Sequence, residues 1–420
     1  MNPLDRISAI ERSLPTGERK AILYRGNNHP HPVKCIPLEY LLYNPHNGRI
    51  RSYTKSYESQ FHPLNPENSI DKNVIEQFLY DSAKNRNEKT LESLEVNGQQ
   101  EVGIVTKDGV IIDGNRRAML LNILSKRNKT PGFFNAIVLP DKLQDNEREI
   151  VTLETSYQMG VDSKVDYNPI EKYIRCKELN ERHGLSSAEI AHIMAEEVGR
   201  IDEWLSILAI MDEYLIYLKT PQVYTRLEKK EGHFVDLHGY LKTYKKGTSS
   251  ANWGYSANDL EELKLIYFDY IRLGIPVMRA RIIAKPTANN SIFCNKEIWD
   301  EFCFETQVIM SEYQTPDFQE AKSLDRFKSN EDIIRNLDDI WRSNVGEQLH
   351  SSLSYAESLV KDRIDQIAPV KILKRAFNGL SQIEYHNLMK SDKGEVLLLL
   401  DKIQEKVDSL RDFVLSDNGL

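Results

Sequence analysis

The chain has 420 residues, with 55 Lys and Arg against 63 Asp and Glu and a formal net charge of −8. Its length suits two or three domains, and a hydrophobic content of 40% supplies ample core. The charge balance excludes a uniformly basic nucleic-acid coat and leaves only local basic patches open. Cys35, Cys176, Cys294 and Cys303 lack the paired spacing of a metal site and read as buried thiols of a reducing compartment. The first residues carry Asp5, Arg6, Glu11 and Arg12 where a signal peptide has its apolar core. No apolar run nears the roughly 18 residues of a membrane span. A cytoplasmic chain with no membrane partner is expected.

Residues 1–32 read as a polar lead-in, and Val33 to Ile36 as a short strand. Pro37 suits a helix start, giving a helix over Leu38 to Leu42. Asn44-Pro45-His46-Asn47-Gly48-Arg49 is a turn ending in a cation, and residues 51–70 show no period and read as a loop. Asp71 is placed to cap a helix bearing Val74, Ile75, Phe78 and Leu79, and Leu91 to Val96 is helical before Gly98. Gly103 to Ile112 predicts a hairpin turned at Asp108-Gly109. Strand Phe134 to Pro140 and helix Asp145 to Tyr157 follow. From Asn168 the pattern is helical, and the helices carrying Ile190 to Met194 and Ile201 to Met211 suggest a helix-turn-helix. Lysines between 229 and 246 alternate with Tyr240, Tyr244 and Trp253, which suits either a nucleic-acid surface or a solvated helical region. Helices are expected over Leu260–Leu273 and around Ile298 to Val308, and Ser329 to Asp332 is a capping box for another. In the last helix Val396, Leu400, Ile403, Val407, Leu410 and Val414 form a heptad seam. It suits either packing on its own domain or a homodimer.

The stretch Asp113-Gly114-Asn115-Arg116-Arg117 is the chemical centre of this pattern. Two arginines occupy the first turn of a helix, where the dipole disfavours cations. The same place, with free backbone N–H groups, favours an anion, and arginine forks match phosphate. A solvated cationic pair is the alternative. Asp113 suits a magnesium ligand or a general base; a strand-ending turn residue is its alternative.

Three stretches in order resemble the ParB family. Asn44-Pro45-His46-Asn47-Gly48-Arg49 is similar to its early Asn-Pro-x-x-x-Arg segment. Leu91-Glu92-Ser93-Leu94 through Gly98-Gln99 to Gly114-Asn115-Arg116-Arg117-Ala118 resembles its box of strand, hairpin, strand and Gly-x-Arg-Arg. Tyr167-Asn168-Pro169-Ile170-Glu171 is similar to the lead into its helix-turn-helix. The resemblance implies an α+β N-terminal ParB/sulfiredoxin-like domain followed by a mainly α-helical remainder. The expected division is 1–32 lead-in, 33–165 nucleotide-binding domain, 166–220 helix-turn-helix-like domain, and 221–420 helical with no assigned role.

It implies further that Gly114, Asn115, Arg116 and Arg117, with Arg49, hold the triphosphate of CTP or ATP with magnesium. Glu154 would be a magnesium ligand and DNA a partner. The chain departs from the family in Asn115, where glutamate is usual, and in Asp113, an acid of other branches. The residues from Gln158 to Lys164 look inserted. Sulfiredoxin activity is excluded because Asn115 stands where it needs cysteine. Asp202 and Glu203, at the start of the presumed reading helix, oppose phosphate contact and sequence-specific reading. The expected function is a nucleotide-dependent switch associated with DNA, with slow CTP or ATP hydrolysis. The alternatives are a metal-dependent nuclease or phosphotransferase using Asp113, and a non-enzymatic helical adaptor.

Overall fold

The computed structural model describes residues 1–159, 168–287, 290–313, 318–324, 329–388 and 391–416. The chain divides into two units, residues 1–351 and 352–420. A mixed α+β N-terminal region built on a five-stranded sheet precedes a mostly helical remainder.

Helix α1 (Pro3–Arg12) is capped by Asn2, whose side chain accepts the Leu4 N–H at 3.0 Å. Strands β1 (Pro15–Tyr24) and β2 (Asn27–Pro37) form an antiparallel ribbon. The expected lead-in is therefore a helix and two strands. Ile22 and Tyr24 are the buried residues of β1, too few for a visible period of two. Pro30 and Pro32 occur where β2 pairs with β1 alone, so their missing N–H groups cost no bond to a second neighbour.

Three more expectations shift. Leu38 to Leu42 holds only a 3₁₀ turn, Leu38–Tyr40. The expected loop at 51–70 contains helix α2 (Arg51–Glu58), whose buried residues are Arg51, Ser52, Thr54 and Ser56. A helix that buries a polar face leaves no hydrophobic stripe to read. Helix α3 (Ser69–Asp81) is capped by Asn68, not Asp71, and α4 (Lys84–Asn97) begins well before Leu91.

Strands β3 (Gly103–Val105) and β4 (Ile111–Asp113) form the expected hairpin, with Gly109 at φ +89° in its turn. Helix α5 (Asn115–Asn128), strand β5 (Phe133–Val138) and helix α6 (Glu147–Met159) complete the region. The sheet order is β1-β2-β5-β3-β4; β3 and β5 are parallel and the other neighbours antiparallel. Alternate residues feed two cores. Ile36, Val105, Ile111 and Ala136 pack with Ile75, Leu79, Leu91, Leu94 and Leu120 of α3, α4 and α5. Ile104, Ile112 and Ile137 pack with Ile150 and Leu153 of α6. Helices thus cover both faces, which explains the apolar runs Gly103–Val105 of β3 and Ile111–Ile112 of β4.

The helical remainder begins with α7 (Pro169–Glu181), capped by Asn168. Helix α8 (Ser187–Met194) carries a capping box of Ser186 and Glu189. Then come α9 (Val198–Tyr217), α10 (Glu231–Lys245), α11 (Ala257–Leu273), α12 (Val277–Ala284), α13 (Lys296–Glu312) and α14 (Phe318–Leu324). Helix α15 (Asn330–Ser381) starts as its capping box predicts, with Ser329 Oγ accepting the Asp332 N–H at 3.1 Å. Short α16 (Tyr385–Leu388) and α17 (Lys393–Ser416) end the chain. The aromatics expected to interleave with lysines serve packing instead. Tyr244 is buried and donates to the Ala284 carbonyl at 3.0 Å, and Trp253 donates to Phe293 at 2.8 Å. The boundary at 165/166, Tyr167 and residues 160–164 of the apparent insertion lie outside the described residues. All four cysteines are free, and all but Cys35 are buried. Among the described residues no helix is long and apolar enough to cross a membrane.

Gly103 has no room for a side chain, since a Cβ there would lie 2.3 Å from the Phe134 ring. Gly103→Ala should cost about 1–3 kcal/mol of stability by overpacking. Combined with Phe134→Leu it should cost less than the sum of the two single changes. Urea denaturation of the four proteins of this cycle measures that coupling.

Candidate anion-binding cleft

Two turns are clamped together before any ligand is considered. In the first, Asn44 to Arg49, the side chains of Asn44 and Asn47 accept the backbone N–H groups of His46 and Arg49 at 2.9 and 3.1 Å. In the second, Gly114 takes φ +95° and Asn115 starts α5. Asn115 is buried; its Oδ1 accepts the Asn44 N–H at 2.9 Å and its Nδ2 donates to the Ile111 carbonyl at 2.8 Å. The Asn115 amide therefore ties the first turn, through its oxygen, to strand β4, through its nitrogen.

Glu154 of α6 braces the first turn from beneath. Its carboxylate accepts Asn47 Nδ2 at 3.1 Å, the Gly48 N–H at 3.3 Å and Asn44 Nδ2 at 3.5 Å. It also pairs with Arg175 Nη2 of α7 at 3.3 Å, both side chains being almost fully enclosed. Arg175 Nη2 donates to the His46 carbonyl at 3.1 Å. Burial pushes the Glu154 carboxyl up, and Arg175 and the Gly48 N–H resist. The same burial, with Arg51 close by, pushes the His46 imidazole down to about 3, so it is neutral.

The braced turn ends at Arg49, which lines a cleft of about 410 Å³. Arg116, the end of α3 and the start of α4 from Asp81 to Arg86, and Asn168 and Glu171 at the start of α7 line it too. Three helix N-termini thus border one cavity. Those of α4 and α5 have no side-chain cap, so their first N–H groups and positive dipole ends suit an anion. Lys84, Arg86, Arg49 and Arg116 add four cations. Among the described residues Lys84, Arg86 and Arg116 have no ion-pair partner. Burial, then Arg49, Arg86 and Arg117, lowers the Arg116 pKa. That crowding of like charge is what a bound polyanion would relieve.

The expected site residues divide. Arg49 and Arg116 come together in the cleft. Arg117 is not among its lining residues; it lies within electrostatic reach of Asp113 and Glu101, its pKa lowered mainly by burial. Its Nη1 is buried and accepted by no group among the described residues. A Cβ on Gly114 would lie 3.1 Å from that Nη1 and 2.7 Å from the Phe134 ring. Asp113 is also absent from the lining; burial raises its pKa against the pull of Arg117, Arg49 and Lys20. Among the described residues no three His, Cys, Asp or Glu side chains form a metal group.

Sequence reasoning missed Lys84 and Arg86. They are cations at a helix start, as unusual there as Arg116 and Arg117, but the apolar pattern begins only at Leu91. It also missed Glu171, which is buried and takes Ser52 Oγ at 2.5 Å and the Ser52 N–H at 3.1 Å. Burial raises its carboxyl to about 7 despite Ser52 and Arg175.

No family model matches this chain, and no curated protein matches it. The solved structures similar to it include two of the C-terminally truncated chromosome-partitioning protein ParB from Caulobacter crescentus. The form complexed to the centromeric parS site is 14% identical at a TM-score of 0.30, covering 60% of this chain and 98% of that one. The form complexed with CTP-gamma-S is 16% identical at a TM-score of 0.17, covering 49% and 92%. The likeness is loose, and residue roles rest on this chain's own geometry.

The neutral His46 gives a pH signature. Its folded pKa lies below the ordinary 6.5, so its contribution is complete above pH 6.5 and is lost as pH falls toward 3. Glu171 acts oppositely, its contribution being lost as pH rises from 4.5 through about 7. Unfolding free energies of the unsubstituted chain and His46→Gln across this range should differ by a gap that narrows as pH falls below 6.5. A constant gap would contradict a buried neutral imidazole.

Proposed function

We propose that the cleft binds the triphosphate of a nucleotide, CTP or ATP, and that the protein is a ParB-like, DNA-associated switch controlled by that ligand. The observation that carries the reading is the set of four cations around one cavity, three of them at two uncapped helix starts and Arg49 at the end of the braced turn. A volume of about 410 Å³ falls in the range of small-molecule sites. In this reading Arg116, Arg86, Lys84 and Arg49 take phosphate oxygens, with the first N–H groups of α4 and α5. Gly114 lets the backbone approach, Asn115 holds the two turns together, and Arg117 stays with Asp113. Ligand occupancy would tie the start of α7 to the sheet domain, which is how binding would reach the helical remainder. DNA as a partner rests on the sequence resemblance; Asp202 and Glu203 on α9 argue for contact away from that helix start.

Magnesium does not fit Glu154 as this chain arranges it. Three amide donors and a guanidinium occupy its oxygens, whereas magnesium needs carboxylate oxygen left open for it.

The nuclease or phosphotransferase reading has one observation in its favour, the raised pKa of Asp113, which suits a general base. Its absence from the cleft lining counts against it.

Titration calorimetry with CTP, ATP, GTP and UTP tests the first reading. Arg116→Ala should weaken binding of the preferred nucleotide by about 10-fold or more, the loss of one charge-assisted hydrogen-bonding group, with an unchanged circular dichroism spectrum. Unaltered affinity in that variant would sink the assignment. For the alternative, Asp113→Asn should leave any nucleotide hydrolysis or metal-dependent DNA cleavage within a few-fold of the unsubstituted chain. A loss of about 10³-fold with retained binding would favour Asp113 as a catalytic base.

A further inference from the structure

A second cavity, of about 140 Å³, lies in the helical remainder between the end of α9, helices α11, α13 and α14, and the start of α15. Leu218, Met310, Phe318, Ile334 and Leu337 form its apolar wall. Its other end is cationic. Lys219, Arg226 and Arg272 line it, and Asp338 is the one acid among the described lining residues.

Asp338 is shared by two arginines whose side chains are only 9% and 8% exposed. Its oxygens take Arg226 Nη2 at 2.6 and 2.5 Å, and Oδ1 also takes Arg272 Nε at 3.0 Å. Arg226 engages Thr220 Oγ1 through Nη1 at 2.8 Å. Arg272 is less well served. Its guanidinium lies over the Trp341 ring, 4.5 Å from the centroid, and neither Nη1 nor Nη2 meets an acceptor among the described residues. An indole face offsets charge but leaves the N–H groups at the guanidinium edge unaccepted. Lys219, exposed and held at φ +55°, has no ion-pair partner among the described residues either. A further acid within reach of Arg272, the buried Asp269, accepts the Tyr217 hydroxyl at 2.7 Å. Burial pushes its carboxyl up to about 7, so it offsets the arginine only in part. Enclosed donors without acceptors are costly in an apolar surrounding.

We propose that this cavity binds a small organic monocarboxylate, its carboxylate on Arg272 and Lys219 and its apolar tail against Met310, Phe318 and Leu337. The guanidinium edge matches the two oxygens of a carboxylate. An inorganic anion would leave the apolar wall unused, and a neutral hydrocarbon would leave the guanidinium unmet. Size sets the class. A cavity of roughly 150 Å³ holds a benzene-sized molecule, which limits the ligand to about four to six carbons. None of these lining residues lines the anion-binding cleft, so the two sites are tested separately.

The probe is sodium butyrate, added to the full-length chain in chloride-free buffer. Saturation-transfer NMR should show transfer to its methyl and methylene protons. Acetate, two methylenes shorter, should bind roughly 10-fold more weakly. Arg272→Met keeps an apolar stem at Trp341 and leaves Asp338 paired with Arg226; it should weaken butyrate by about 10-fold or more. Met310→Trp, at a half-buried wall position, should block butyrate by bulk with an unchanged circular dichroism spectrum. No transfer from the unsubstituted chain, full affinity in either variant, or displacement of butyrate by equimolar chloride or sulfate overturns the proposal.

Discussion

The enclosed ion pair between Glu154 and Arg175 is the constraint on which the cleft depends. The two charges are 3.3 Å apart with side chains 1% and 3% exposed. Such a pair is tolerable only when its remaining hydrogen-bonding capacity is filled. Here the filling groups are the Asn44–Gly48 turn, through Asn44, Asn47, Gly48 and the His46 carbonyl. The turn therefore cannot relax without exposing a buried charge to an apolar surrounding. Gly48 is part of the same fit, since a Cβ there would lie 2.9 Å from Arg175 Nη2. What the pair achieves is positional: it fixes Arg49 at the cleft and ties α6 to α7.

The polar network continues past the cleft and treats its carboxylates differently. Burial works against Glu178 too, but Arg51, Arg175 and Lys55 draw it down to about 2. Glu171, about two turns earlier on α7, has hydroxyl and amide donors and only Arg175 as a cation, and stays near 7. Glu178 is thus a fixed anion that anchors α2, at 2.6 Å from Arg51 Nε. Glu171 borders the cleft, as Asp81 does, and receives the N-terminal turn of α2 through Ser52. Helix α2, expected to be a loop, therefore joins α7 through Ser52 and Arg51 beside the cleft.

The cleft and the C-terminal helix illustrate one rule on different scales. Arg116 is crowded by Arg49, Arg86 and Arg117, and α17 leaves an apolar seam in water. Each is an arrangement that costs free energy in the isolated chain. Proteins carry such local conflicts where something binds.

The sequence by itself determined the elements whose physics is local or periodic. The Asp108-Gly109 turn, the α5 start after Gly114, the helical turn of the pattern at Asn168 and the apolar strands Ile104–Val105 and Ile111–Ile112 all follow from turn chemistry and short-range pattern. The identification of Arg49 and Arg116 as neighbours came from motif order. Only tertiary structure decided the rest. It made strands of the proline-bearing residues 27–32 because a single neighbour excuses the missing N–H groups. It made a helix of Arg51–Glu58 because Glu171 and Glu178, more than a hundred residues on, pay for burying its polar face. It separated Arg116 from Arg117, adjacent in the chain, because consecutive helical residues point about 100° apart. It also brought Lys84 and Arg86 to the same cavity. Side-chain direction and long-range polar pairing leave no trace in local composition, and the cleft is made of both.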